Sequence, residues 1–215
     1  MENYKTKVDI VYDTILDKIA KGEYQLGDSL IIRSVAQENH VSDIPVREAL
    51  RLLERDGYVE VRANHGAVVC ELGKEHLYEI FQLRALLEGY AARQSIDYLT
   101  SSDYKRLREI NQKLRETTDK KEVSKLNMDF HLRMYSALPQ KMLYDMIKDL
   151  WRKYSVTKKV FSLVQGRAEI SVEQHEEILK TMEEKNYDET ERLMREHKIQ
   201  AGKAFCRQME QRGQG

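Results

Sequence analysis

The sequence predicts a mainly α-helical protein in two parts, a small mixed unit over residues 1–72 and an all-helical bundle over residues 74–211. Three observations predict it. Prolines number only two in 215 residues, and apolar residues recur at three- and four-residue steps through most of the chain, which is the period of an amphipathic helix. The β-prone runs "YVEV" and "AVVC" are confined to one short stretch before residue 72. Hydrophobic residues make up 41% and charged residues 33%, a balance expected of a soluble globular protein that can bury a core. No window holds eighteen uninterrupted apolar residues, and "MENYKTKVDIVYD" lacks the pattern of a secretory leader. A cytoplasmic location with no membrane partner is expected. Cys70 and Cys206 are far apart and in no C-x-x-C pattern, so neither a disulfide framework nor a cysteine metal knuckle is indicated.

In the first part, "VDIVYDTILDKIA" sets Val8, Val11, Ile15 and Ile19 on one helical face, and the glycines of "KGEYQLGDSL" end it. A short helix over about Arg33 to Asn39 follows, then the turn "HVSD", then a helix from about Pro45 to Asp56. Proline suits a first helical turn, where its missing N–H would find no intrahelical partner. Gly57 stops that helix. "YVEV" and "AVVC" then form a hairpin around "RANHG", and "ELGKE" serves as the linker. Helix, helix, turn, helix, hairpin is the order of a winged helix-turn-helix with three helices. From Lys74 onward the periodicity predicts six helices, over about 74–99, 102–119, 122–137, 141–165, 169–184 and 187–211, a bundle without repeats.

A helix-turn-helix presents the start of its second helix to base edges in the major groove, while the first braces against the backbone. Arg33 is then placed to reach phosphate. Ser42 and the free amides near Ile44 to Val46 form a helix N-terminus that favours phosphate. Arg47, one turn in, is suited to a bidentate pair with guanine, or to a solvated Arg47–Arg51 face or an ion pair with Asp43. Asp43 is the odd residue of the set: it can cap the helix, steady Arg47 or accept from a cytosine amino group. His65 and Gly66, at the wing tip, suit an approach to the minor groove. Charge offers this reading little support, since residues 1–73 carry nine Lys/Arg against thirteen Asp/Glu, a net of −4. Any DNA affinity must come from a local cationic face, doubled by dimerisation.

The bundle carries a second constellation. Asn127 and His131 lie one turn apart beside the apolar stripe Val123, Leu126, Phe130, Met134 and Ala137. His175 sits among Val172, Ile178, Leu179 and Met182, and His197 among Leu193, Met194, Ala201 and Ala204. A lone histidine on an apolar face is ordinarily a hydrogen-bonded core residue. Three, with an asparagine, are better suited to holding a divalent transition ion, zinc or nickel, with open positions for a carboxylate. Arg84 and Glu88 are likewise one turn apart on an apolar flank, a spacing that suits an intrahelical ion pair or a functional role equally.

"VYDTILDKIAKGEYQLGDSL", "VSDIPVREALRLLERDGYVEVRANHGAVV" and the helical remainder together resemble the GntR family of bacterial transcription regulators, in its FadR-like subfamily with an FCD effector domain. The resemblance spans nearly the whole chain and implies a homodimer on a palindromic double-stranded DNA operator. It carries DNA contact onto Arg33, Arg47, His65 and Gly66. Many members have "SRTPVRE" where this chain has "SDIPVRE", so Asp43 replaces a common arginine and Ile44 a common threonine. The resemblance further implies metal ligation by Asn127, His131, His175 and His197, with asparagine in a place that aspartate often takes. Through the pattern "R-x-x-LE" it makes Arg84 a partner for the carboxylate of a small acid effector, with Glu88 orienting it.

Two functions follow as expectations. The leading one is a ligand-responsive transcription factor. The alternative is a metal-dependent hydrolase or lyase using three inward histidines and an open position to activate water, although no carboxylate on the same inward faces is a strong general base: Asp129 and Glu176 are expected to point away.

Overall fold

The structure, a computed structural model, describes residues 5–21, 23–62, 66–70, 74–153, 164 and 166–212. The chain divides into two compact units, Met1–Gly73 and Lys74–Gly215.

The first unit opens with α1 (Lys7–Lys21). It buries Val11, Tyr12, Ile15 and Leu16, so its inward stripe is rotated from the expected one and leaves Val8 and Ile19 half-buried. Tyr12 explains the rotation, because its hydroxyl donates to Asp56 Oδ2 at 2.7 Å in the core. Strand β1 (Ser29–Leu30) comes next, then α2 (Ile32–Glu38), α3 (Asp43–Arg55), β2 (Val59–Arg62) and β3 (Gly66–Val69). Helix α3 begins two residues before the expected Pro45, which lies buried in its first turn. The strands form an antiparallel sheet in the order β1-β3-β2, with Ser29 opposite Val68 and Val59 opposite Val69. Two residues are too few to show alternation, and β1 was accordingly invisible to periodicity.

The second unit holds α4 (Lys74–Ser95), α5 (Ser101–Glu116), α6 (Lys120–Tyr135), α7 (Lys141–Lys153), α8 (Arg167–Glu183) and α9 (Tyr187–Arg212). The six expected segments are all present, with shifted ends. Helix α4 stops at Ser95 rather than 99. Beyond it, Thr100 starts α5 with a capping box: its side chain accepts from the Asp103 N–H, and Asp103 accepts from the Thr100 N–H at 3.0 Å. Helix α6 ends at Tyr135 rather than 137, ahead of Pro139. The expected helix over 141–165 is seen as far as Lys153, and 154–163 and 165 lie outside the described residues.

Helices α4 and α9 approach closely, and glycines on both sides permit it. A Cβ on Gly89 would lie 2.5 Å from Arg195 Cγ, and one on Gly202 would lie 2.6 Å from Phe81 Cβ. This crossing sets His197 of α9 across the core from His131 of α6 and His175 of α8. No described helix is long and apolar enough to cross a membrane.

Candidate metal and effector site, and the DNA-reading face

His131, His175 and His197 are buried and converge by one nitrogen each. His131 Nε2 is 3.2 Å from His175 Nε2 and 3.2 Å from His197 Nε2, and one ligand atom from each ring falls within 4.8 Å of the others. Phe130 stacks on His175 with ring centroids 3.9 Å apart and nearly parallel planes, which holds that imidazole in place.

The hydrogen bonds on the far side of two rings fix their tautomers. Asn111 Nδ2 donates to the Val172 carbonyl at 3.1 Å, so its Oδ1, 2.9 Å from His175 Nδ1, must be the acceptor there. Gln174 Oε1 accepts from Arg167 at 3.2 Å and lies 2.7 Å from His197 Nδ1. Arg167 Nη2, which can only donate, lies 3.4 Å from the same nitrogen, but the shorter contact is to the amide oxygen, which can only accept, and it places the proton on His197 Nδ1. Both Nε2 lone pairs therefore point at His131 Nε2, which has at most one proton to give. A cation between the three nitrogens removes that conflict, and orientation of ligating imidazoles by amide oxygens is the usual outer-shell arrangement of a metal site.

Two further observations bear on the fit. Asn127 Oδ1 is buried, one turn before His131, and has no hydrogen-bond partner among the described residues, as an oxygen awaiting a metal would be. Burial, reinforced by the nearby Lys198 ammonium, pushes all three imidazoles well below the usual histidine range, so they are neutral and free to ligate at pH 7. The three converging histidines fit a divalent transition ion, and Asn127, one turn before His131, offers a buried oxygen on the same helix. Sequence reasoning did not find Asn111 and Gln174. Asn111 had a signal, since it falls on the helical stripe of Leu107, Ile110 and Leu114.

Beside the histidines lies a buried cluster of charges. Arg84 Nε donates to Glu88 Oε1 at 2.7 Å, Lys198 Nζ to Glu88 Oε2 at 2.9 Å, and the Tyr135 hydroxyl to Glu88 Oε2 at 3.1 Å. The expected Arg84–Glu88 pair thus exists, and Lys198, which sequence reasoning did not find, makes it a triad. The Arg84 guanidinium lies 3.7 Å from the centre of the Trp151 ring, which in turn is 5.7 Å from the His131 ring. Burial alone would raise the Glu88 carboxyl; the charges of Arg84 and Lys198 outweigh it and hold the pKa low. Burial pushes Lys198 down to about 7. Arg84 and Lys198, the latter about half-protonated at pH 7, both donate to one carboxylate, and the buried Trp151 indole N–H nearby has no partner among the described residues. The surplus is of donors. Glu176 is exposed and pairs with Arg115, and Asp129 is half-buried.

In the first unit, Arg33, Ser42, Ile44 and Arg47 are exposed and Asp43 is half-buried. Arg33 and Asp43 line one shallow concavity with Ala36, Gln37, His40 and Val41. The capping role considered for Asp43 is corrected: Ser42 holds the N-cap position, without a side-chain cap bond, and Asp43 is the first helical residue. Among the described residues no ion pair joins Asp43 to Arg47. Gly66 is buried at φ +92°, and a Cβ there would overlap the Leu30 carbonyl oxygen, so the sheet itself requires this glycine. His65 lies outside the described residues.

A three-helix unit with a small antiparallel sheet, carrying exposed arginines on its second and third helices, defines a winged-helix DNA-binding protein with a helical companion domain. Residues 7–69 match the family of bacterial regulatory proteins, gntR family, and residues 79–200 match the FCD domain. The chain belongs to the GntR family, among the members that carry an FCD domain. It is 30% identical over 144 residues to the HTH-type transcriptional regulator McbR of Escherichia coli (strain K12), covering 66% of this chain and 65% of that one. It is 27% identical over 200 residues to the Exu regulon transcriptional regulator of the same organism, covering 84% of this chain and 77% of that one. The solved structure of E. coli McbR/YncC has the same fold, with a TM-score of 0.73 at 24% identity over 96% of this chain and 100% of that one. The protein is a DNA-binding transcriptional regulator of the GntR/FCD type and not an enzyme, which sets aside the hydrolase or lyase alternative.

Proposed function

We propose that this regulator acts in the cytoplasm as a homodimer on a palindromic operator, and that a small organic acid bound in its helical domain modulates that grip. Residues 1–72 hold the operator, through Arg33, Ser42, Asp43, Ile44 and Arg47, with His65 and the backbone at Gly66 as further contacts. Residues 74–211 bind the effector and pair the two copies. Asn127, His131, His175 and His197 hold a divalent transition ion, zinc or nickel, which when bound supplies a Lewis-acidic centre for a carboxylate oxygen. Arg84, oriented by Glu88, takes the same acid by its guanidinium fork.

The observation that carries this reading is the buried surplus of donors beside three converging imidazole nitrogens: Arg84 and Lys198 share one carboxylate within reach of the Trp151 ring. Buried charge is costly unless it is paired, and an anionic ligand completes the balance. To shift DNA affinity, that ligand must bind the two conformations unequally.

The test has two arms. Elemental analysis of untagged protein purified without chelator is expected to find about one zinc or nickel per chain, as one such site implies, with much less in His175→Ala. A thermal-shift series of small carboxylic acids is expected to raise the Tm of metal-loaded protein and to do so weakly after chelation or in Arg84→Met. Absence of metal, together with an unchanged Tm in His175→Ala, would remove the site. Acids that act equally on Arg84→Met would remove Arg84 from it.

A further inference from the structure

We infer that Ile44 reads the 5-methyl group of a thymine in each half of the operator. The inference rests on the reading of α3 as the helix that enters the major groove. Ile44 is 69% exposed at the second position of α3, while the adjacent Pro45 and Val46 turn inward and are buried. Ile44, Arg47, Glu48 and Arg51 are all exposed, and their spacing of three, one and three residues puts them on one outward face. Three of the four are charged. The apolar member stands at the end that meets base edges first.

An isoleucine side chain has no donor or acceptor, so it contributes nothing to a phosphate or to the polar edges of guanine, adenine or cytosine. Among the four base pairs' major-groove edges, thymine alone offers an apolar group, its C5-methyl. Bringing the two together removes apolar surface of both from water. Arg47 lies three residues on, about 4.5 Å further along the helix at 1.5 Å per residue, which is close to the separation of neighbouring base pairs. The two side chains therefore read neighbouring or next-neighbouring positions: a thymine by its methyl at Ile44, and a guanine by O6 and N7 at Arg47.

The experiment uses the full-length protein and duplexes selected by it from a randomised pool. Each half-site thymine is replaced in turn by deoxyuridine, which deletes the methyl and keeps every hydrogen-bonding group, and Kd is measured by fluorescence anisotropy. One thymine per half-site is expected to respond, with binding weakened about fourfold per methyl lost and about fifteenfold when both half-sites are changed, on the scale of one buried methylene each. Ile44→Ala is expected to bind thymine and deoxyuridine operators equally while melting at the wild-type temperature, since the side chain is exposed. Equal binding of both operators by the wild type would overturn the inference, and so would discrimination that survives in Ile44→Ala. If no preferred sequence emerges from the pool, the failure lies with the recognition-helix reading itself. Loss of dimer in Ile44→Ala would assign the side chain to contact between copies instead of to DNA.

Discussion

At the scale of single residues, the centre of the helical domain is governed by where protons sit. His175 and His197 have their Nδ1 protons fixed by Asn111 and Gln174, which leaves their Nε2 lone pairs facing His131. All three imidazoles are held neutral in the folded chain, whereas in the unfolded chain each takes a proton below about pH 6.5. The unfolded state then binds more protons than the folded one, so stability is retained above pH 6.5 and falls as pH drops below it. Chelated protein followed by thermal melting between pH 8 and 5.5 is expected to lose stability through the lower part of that range, and His131→Asn to show a shallower loss. A flat profile would mean that the rings are solvated or already charged. The fourth ligand offers a separate prediction. Asn127 supplies a neutral oxygen, and Asn127→Asp adds a negative charge at the same reach. Zinc affinity measured by competition with a chromophoric chelator is expected to rise about tenfold, because affinity at such sites follows the charge and type of the ligands. An unchanged affinity would show that the Asn127 oxygen faces something other than the metal.

At the scale of elements, three helices end in the same device with unequal residues. Helices α2, α3 and α8 each close with the paired 6→1 and 5→2 bonds of a Schellman motif: His40 N to Gln37 O and Val41 N to Ala36 O, Gly57 N to Glu54 O and Tyr58 N to Leu53 O, Lys185 N to Met182 O and Asn186 N to Thr181 O. The pivotal residue is left-handed in each, at φ 52°, 79° and 54° respectively, but only α3 uses glycine there. Lys185→Gly is therefore expected to stabilise the protein by about 0.5 to 1 kcal/mol, the cost of a side chain in that region less the added freedom of the unfolded glycine. Denaturant melts would measure it, and a loss of stability would mean that the Lys185 side chain makes a compensating contact. At the α4–α9 crossing the sign is opposite: Gly202→Ala meets the buried Phe81 ring, and a loss of about 1 to 3 kcal/mol is expected from overpacking. The same details show what was legible in the sequence. Gly57 announced its helix end, the expected ends near Asn39 and residue 184 fell within a residue of those observed, and the histidines announced their inward positions by helical spacing, but nothing in composition marked His40 and Lys185 as the left-handed residues. Lys198 was illegible for a related reason. A lysine next to His197 on a charged helix looks solvated until tertiary packing seats it against Glu88 and Trp151.

At the scale of the whole molecule, the difficulty is to bind a polyanion with a chain of zero formal charge whose first 73 residues carry −4. Specific contact must then rest on a few well-placed cations. Arg33, Arg47 and Arg51 are exposed in the helix-turn-helix, and on the proposed two-fold operator each is used twice, giving roughly six cationic contacts. Counterion release makes log K fall with log salt at about −0.9 per phosphate neutralised. A dimer that used all six on phosphate would show a slope of roughly −5, and one that gave Arg47 to guanine would show roughly −3.5. A single copy would stay near −2 to −3. Measuring Kd on a palindromic duplex and on an isolated half-site across a salt series separates these cases: the palindrome is expected to show about twice the slope of the half-site, and Arg33→Ala to reduce its slope by about two. Equal slopes on both duplexes would mean that one copy binds at a time, and the acid bound in the helical domain would then have no paired geometry to change.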